Sequence, residues 1–487
     1  MPRSVTIAAV ALLAAVRFCH IGVLWVEEAY PLAAARAVLA GQALYRGIWY
    51  DKPPLSALIY VLIDARGGFV LRLAGALFVG VAAWAAWRAA GQFWPRAGAS
   101  QGEAEADVRA WAALLTAFFV TFDFPAAAMA LTPDLLALPL HVLAVGAAAA
   151  GLPFLAGVLC GVALGFNGKA LVMLVVCVLW NWRKAPRVLA GFALPVALIV
   201  VWLELQGSLD AHWRQVWVWG AAYARDTPLH QPLLEGLRRT LGWAGFHAAL
   251  VAAAVCVLWR ERDRRWRMVA WVVISLAAAW MGWRFFPRYF FQLLPAVVLP
   301  AARGFALAPS RWRAVLVALL AVPFIRFMPV SSQLAAETLQ GHPHASRDLA
   351  LFEDARRAAL LAAPFQRPAD TALVWGYRPE LYALTGLPLG TPYLDSQPLD
   401  GVLADRHLTD SRPTFPALAY VNREALVRTA PPVWILDGLG PVNPRLAAFD
   451  ATVGLAPWRS RYAEVGRTRT VILYRLIAAP PTANAAH

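Results

Sequence analysis

Apolar residues dominate this chain in long blocks, separated by short polar segments. A bilayer-crossing helix needs roughly 20 mostly apolar residues. Eleven blocks are candidates: about 5–25, 69–90, 110–124, 133–150, 152–167, 169–182, 188–207, 241–259, 268–283, 289–306 and 312–329. The third, fifth and sixth are short. Arg183, Lys184 and Arg187 follow the sixth block, and the run RERDRRWR at 260–267 follows the eighth. Arg303, Arg311 and Arg313 flank the link after the tenth. With a cytoplasmic N-terminus all of these face the cytoplasm, as the positive-inside rule requires. The loops at 25–68, 125–133, 207–240 and 284–288 then lie outside, with everything after Pro329.

The first external loop holds two amphipathic pieces, about 29–41 and 54–65. The first is expected to start near Pro31 and stop at Gly41. Their Ala/Leu/Ile faces suit helices lying in the membrane interface. The tail, 330–487, has no block long enough to span. Within it TALVWGY (371–377), PVWILDG (432–438) and RTVILYRL (469–476) read as strands. LALFEDARRAALLAA reads as an amphipathic helix. The expected architecture is therefore a polytopic α-helical membrane domain over 1–329, followed by a soluble extracytoplasmic α/β domain over 330–487.

Composition agrees with the pattern. The chain is 60% hydrophobic and 15% charged, with a mean hydropathy of +0.55. Soluble domains carry about 25% charge. The net charge of +15 is spread between apolar blocks rather than gathered on one face, which excludes a nucleic-acid partner and suits contact with membrane lipid. Cys19, Cys160, Cys177 and Cys256 lie in apolar blocks without metal spacing and read as buried hydrophobes. The N-terminus mimics a signal peptide, with Arg3 and an Ala-x-Ala at Ala9–Ala11. Cleavage there would leave almost no apolar run, so an uncleaved first span is expected.

Chemistry concentrates in a few polar patches. Glu27 and Glu28 directly follow the first block, and carboxylates at a bilayer exit need a compensating function or partner. Tyr30, Gly41, Tyr45 and Asp51-Lys52-Pro53-Pro54 follow in the same loop. MALTPDLLALPL puts Asp134 at the start of the fourth block, where Thr132 or Asp134 can cap a helix that has Pro133 in its first turn. GVALGFNGKALVML puts Lys169 where the fifth block turns into the sixth. GWRFFPRYFFQLLP, 282–295, places Arg284 and Arg288 around a short external turn with Tyr289 and Pro295 behind it. Each patch also has a plain structural reading. An acidic pair favours a helix N-terminus, an exposed ion pair contributes little, and terminal arginines snorkel. Arg17 and Arg72, within apolar blocks, read as members of structural pairs. His342 and His344 alone make a poor metal site, and no metal is assigned.

The loop carrying Glu27-Glu28, Gly41, Tyr45 and Asp51-Lys52-Pro53-Pro54 resembles the first external loop of the GT-C glycosyltransferases. It is most similar to the branch holding protein O-mannosyltransferases and lipid A aminoarabinose transferases. Asp134 after Thr132-Pro133, and the Gly-Arg-aromatic-Pro-Arg-Tyr stretch at 282–289, resemble further motifs of that branch. Trp375, Gly376, Pro379, Glu380 and Tyr382 resemble a tail stretch of its bacterial members. The oligosaccharyltransferase Trp-Trp-Asp-Tyr-Gly signature is absent.

The resemblance implies an inverting transfer of one sugar from a polyprenyl-phosphate donor at the outer face of the inner membrane. The acceptor would be an envelope glycan, lipid A or a protein. It implies Glu27 as the catalytic base, with Glu28 as the neighbouring candidate and Asp134 as a further carboxylate near the reaction. The family has Asp where Glu27 stands, so the carboxylate here reaches about a methylene further. Lys52, Lys169, Arg284 and Arg288 become candidate cations for the donor phosphate, with Asp51, Tyr45 and Tyr289 as other site residues. No cofactor is assigned, and a divalent cation near the acids stays open. A lipid-linked glycan ligase is the alternative enzyme, although its acids would be expected in a late loop. A polyprenyl-lipid or sugar transporter is the alternative outside enzymes, although no internal repeat is visible.

Overall fold

The computed structural model describes residues 2–94, 102–227, 229–407, 412–443 and 448–477. It separates into two compact units. One comprises Met1–Val23 and Asp51–His342; the other comprises Leu24–Tyr50 and Pro343–His487. In this division the tail part begins at Pro343, whereas the apolar pattern put it at 330. Residue 329 falls inside the helix Ala321–Gln340, which carries Pro329 within an apolar stretch. The segment 24–50 groups with the tail rather than with the apolar helices.

In the first unit, each of the eleven apolar blocks holds helix. Among the described residues four helices are long and apolar enough to cross a membrane: Arg3–His20, Gly68–Phe93, Trp182–Leu205 and Ser310–Gln340. Shorter apolar helices occupy Pro133–Ala149, Pro153–Leu164, Ala170–Trp180 and Leu294–Leu307. Prolines open several of these, where the missing N–H costs nothing. The block at 241–259 departs from the expected single span. The helices Pro232–Phe246 and Ala248–Arg260 meet at 92°. His247 forms the break, leaving helical geometry at φ −98° and ψ 28°. Its ring stacks at 4.8 Å on Phe119 and 4.3 Å on Trp243, with Nε2 3.6 Å from Asp123 Oδ2. A side chain seated among these partners fixes the corner.

Close helix contact in this unit depends on small residues. A Cβ added to Gly157 would run into the Val188 carbonyl, and one on Gly191 into the Phe154 carbonyl. The helices Pro153–Leu164 and Ala185–Leu205 therefore meet backbone to backbone, as small-residue membrane interfaces do. Arg17 and Arg72 are buried. Both donate to backbone carbonyls. Arg17 donates to Met129 O at 2.7 Å and Val120 O at 3.0 Å, and Arg72 to Met129 O at 3.1 Å and Val23 O at 3.3 Å. Buried guanidinium groups need such partners. Both converge on the irregular backbone just before Thr132, and Tyr60 Oη donates to Leu131 O at 2.9 Å.

The second unit has a four-stranded sheet. Its strands are β1 Ala372–Trp375, β2 Trp434–Asp437, β3 Tyr462–Arg467 and β4 Ile472–Leu476, in the order β1-β2-β4-β3. β1 and β2 are parallel; the other pairs are antiparallel. Leu373, Trp375, Ile435, Trp458 and Tyr474 share its core. β1, β2 and β4 fall within the expected segments, and the expected amphipathic helix is Ala350–Ala362. β3 escapes sequence reading because it is a largely exposed edge, interrupted by an irregularity between Glu464 and Gly466.

The first-loop helix in this unit spans Val26–Leu39, not a start near Pro31. Pro31 lies inside it and forgoes one backbone bond, while Glu28 secures the earlier start from the N-terminus. Tyr30 stacks on Tyr50 at 5.2 Å and lies 5.6 Å from Tyr377. Trp49 N donates to Pro392 O at 2.6 Å, tying the loop to the tail. Gly41 follows at φ +87°, a conformation that favours glycine. In the first unit the second amphipathic piece forms the shorter helix Leu55–Val61.

Candidate active site

Glu27 and Glu28 occupy the first turn of Val26–Leu39, where the helix dipole favours negative charge. Their environments differ. Glu28 is fully buried, and its Oε1 accepts the Trp25 backbone N–H at 3.1 Å. This is the reach of a residue at the third helical position back to the cap. Glu27 is half-buried. The adjacent carboxylates thus divide: one closes the helix N-terminus, and the other is left partly accessible. Tyr45, in the same unit, is buried at φ +70° with its ring 6.2 Å from Tyr50. That geometry makes it part of the loop's aromatic packing.

The first unit gathers a charged cluster from three separated segments. Thr132 caps the short helix Pro133–Leu136 by accepting the Leu135 N–H at 3.2 Å. Asp134 in its first turn has a side chain only 8% exposed. Lys169 Nζ lies 3.3 Å from Asp134 Oδ1, and Arg288 Nε lies 3.9 Å from Oδ2. Lys169 Nζ also sits 3.0 Å from the centroid of the Tyr289 ring, a cation–π contact. Lys169 precedes Ala170–Trp180 at the end of a turn in which its own N–H is held by Asn167 Oδ1 at 2.9 Å. Arg288 and Tyr289 belong to the 3₁₀ turn Pro287–Gln292. Asp134 thus has a cation from each of two other segments beside it.

The other sequence-derived cations lie differently. Lys52 Nζ pairs with Asp51 Oδ2 at 2.7 Å while its own side chain stays 39% exposed. Its charge is therefore partly neutralised, in contrast to an open phosphate cation. Arg284 is held by backbone carbonyls. It donates to Tyr223 O at 2.7 Å, Asp226 O at 2.6 Å and Gly282 O at 3.3 Å, over the Tyr223 ring at 3.7 Å. Those carbonyls engage both terminal nitrogens of the fork that a phosphate would need, so Arg284 fixes one loop against another. Trp283 and Phe285 on either side have φ +52°, a strained conformation for residues with a Cβ.

The Trp375–Tyr382 stretch builds the second unit. Tyr382 Oη accepts the Val374 N–H at 3.1 Å and donates to Tyr393 O at 3.2 Å. Glu380 pairs with Arg378 at 2.5 Å. Sequence reading missed that Tyr377 joins Tyr30, and that Arg17 and Arg72 share Met129. The first had a signal in Tyr30 beside the acidic pair; the second had none beyond two arginines in apolar blocks. Among the described residues, no three His, Cys, Asp or Glu side chains gather as a metal site.

No family model matches the chain, and no curated protein does. Solved structures match along nearly its whole length. The structure of ArnT from Cupriavidus metallidurans bound to undecaprenyl phosphate is 14% identical, with a TM-score of 0.61, covering 98% of this chain and 99% of that one. The Archaeoglobus fulgidus oligosaccharyltransferase in the apo form is 12% identical at a TM-score of 0.50, covering 90% and 70%. The mycobacterial arabinofuranosyltransferase AftD is 16% identical at 0.50, covering 99% of this chain and 42% of that one. At such identities the likeness speaks for the fold, and the fold of this chain is that of the GT-C glycosyltransferases.

Proposed function

We propose that the protein is an inverting glycosyltransferase of the inner membrane that moves a single sugar from a polyprenyl-phosphate donor to an envelope glycan, lipid A or protein. The observation that carries this reading is the convergence of Lys169 and Arg288 on Asp134, a charged site built into the apolar unit. The similar ArnT was solved bound to undecaprenyl phosphate, the kind of lipid phosphate that would depart in this transfer. In the proposed step the acceptor oxygen attacks the anomeric carbon while the carbon–oxygen bond to the phosphate breaks. Glu27 takes the acceptor proton, and Lys169 and Arg288 stabilise the charge developing on the departing phosphate. Asp134 keeps the two cations close together until the donor arrives.

The proposed topology has eleven spans, a cytoplasmic N-terminus and a tail outside the cytoplasm. Reporter fusions after Arg187 and Arg265 should report cytoplasm, and one after Pro343 the outside. A cytoplasmic tail would place Glu27 on the wrong side for an external transfer. The function itself is tested by mass spectrometry of lipid A, envelope glycans and secreted proteins from a deletion strain. Loss of one sugar that returns with the wild-type gene supports the reading, and an unchanged envelope overturns it.

A further inference from the structure

A second charged site lies in the tail unit. A cavity of about 450 Å³ opens between the turn at 343–347, the start of the helix Ala350–Ala362 and the β3–β4 turn. Arg347, Arg357 and Arg469 line it. Among the described residues these three side chains make no hydrogen bond or ion pair. The two acids on the wall are already engaged. Glu353 pairs with Arg356, which is outside the cavity lining, at 3.1 Å. Asp354 Oδ2 accepts from Thr468 Oγ1 at 2.6 Å, Thr470 N at 2.7 Å and Thr470 Oγ1 at 2.5 Å. Three arginines therefore face a single carboxylate lacking a cationic partner. The first turn of a 13-residue helix on the same wall adds a dipole of anion-favouring sign.

We propose that this cavity binds the phosphate of a phosphorylated headgroup. Planar guanidinium forks match phosphate oxygens in pairs, which explains the use of arginine at all three positions. The volume lies within the roughly 300–1,000 Å³ of small-molecule sites, so it admits a phosphoglycerol or phosphosugar group rather than a bare ion. The source favoured is a membrane lipid. The wall begins at Pro343, directly after the apolar stretch Ser310–Gln340. The site is independent of the transfer chemistry proposed above, and its test is binding.

The full-length protein in detergent is titrated calorimetrically with short-chain phosphatidylglycerol, short-chain phosphatidylcholine and glucose 1-phosphate. Phosphatidylglycerol should bind at least about tenfold tighter than phosphatidylcholine. The double variant Arg357→Gln, Arg469→Gln should weaken it by at least about tenfold, with an unchanged unfolding midpoint. Glu27→Gln should bind like wild type. Binding of glucose 1-phosphate alone, lost in the same double variant, supports the phosphate site and assigns it to a soluble phosphosugar. Equal binding of the two lipids together with no response to glucose 1-phosphate overturns the proposal. So does full affinity in the double variant. If that variant unfolds early, Arg347→Gln is read in its place by the same criteria.

Discussion

Asp134 and Lys169 meet at 3.3 Å across 35 residues of chain, both largely buried. A carboxylate so placed is an expensive charge unless its cations stay. Removing one partner of a buried pair typically costs about 3–5 kcal/mol, because the other is left uncompensated. Asp134→Asn should therefore lower the unfolding midpoint in detergent and leave two cations in mutual repulsion. Lys169→Met in that background should restore part of the loss. A double-mutant cycle on unfolding free energy reads this coupling. Strict additivity would show that the two side chains do not depend on each other.

The division of labour between the acidic neighbours predicts opposite responses. Glu27→Gln keeps size and removes basicity, and loss of a general base typically costs about 10²–10⁴-fold in rate. Glu28→Gln retains an oxygen that can accept the Trp25 N–H, so it should keep most turnover. Glu28→Ala, lacking that acceptor, should lose about 0.5–2 kcal/mol of stability, as lost caps do. Transfer assays with a polyprenyl-phosphate sugar, paired with thermal unfolding, separate the two. Near-normal turnover in Glu27→Gln beside loss in Glu28→Gln would move the base one residue along.

Much of this arrangement was legible because periodicity and turn chemistry are local. The apolar blocks, the Thr132 cap, three strands and the amphipathic tail helix all follow from residues close in sequence. Other features depend on tertiary contacts that no short window encodes. Nothing near Arg284 announces that carbonyls of Tyr223 and Asp226 would occupy it, about 60 residues upstream. The corner at His247 depends in part on the distant Phe119 ring, and β3 is polar because it is an exposed edge. The grouping of 24–50 with the tail rests on Tyr30 meeting Tyr377 and Trp49 meeting Pro392, pairs hundreds of residues apart.

Acid should act on the tail unit through Asp354. Burial pushes its carboxyl pKa up, but the hydrogen bonds from Thr468 and Thr470 outweigh this and hold it below the ordinary value. A carboxyl depressed in the folded state stabilises the fold fully above its unfolded pKa, about 3.9. That contribution is lost as pH falls through the folded value. Asp354→Asn should therefore lower the unfolding midpoint at pH 7, and the gap from wild type should shrink below about pH 4. A gap that stays constant down to pH 2.5 would mean that the Asp354 charge does not contribute.

Arg284 and Arg288 stand four residues apart in one motif, and their surroundings predict different losses. Arg284 is engaged by backbone carbonyls, so Arg284→Ala should lower stability and reduce the fraction of folded protein. The affinity of what remains folded for the donor should change little. Arg288 Nε lies 3.9 Å from Asp134 Oδ2. In the proposed reaction its terminal nitrogens meet the donor phosphate. A charge-assisted hydrogen bond contributes about 1.5–3 kcal/mol, so Arg288→Ala should weaken donor use by about 10–100-fold. Arg288→Lys keeps the charge but loses the fork, and should recover only part of it. Donor titrations in a transfer assay, normalised to folded protein by size-exclusion chromatography, check both residues. Full donor affinity in Arg288→Ala, accompanied by early unfolding, would assign Arg288 to structure. A donor-specific defect in Arg284→Ala would return that residue to the phosphate site.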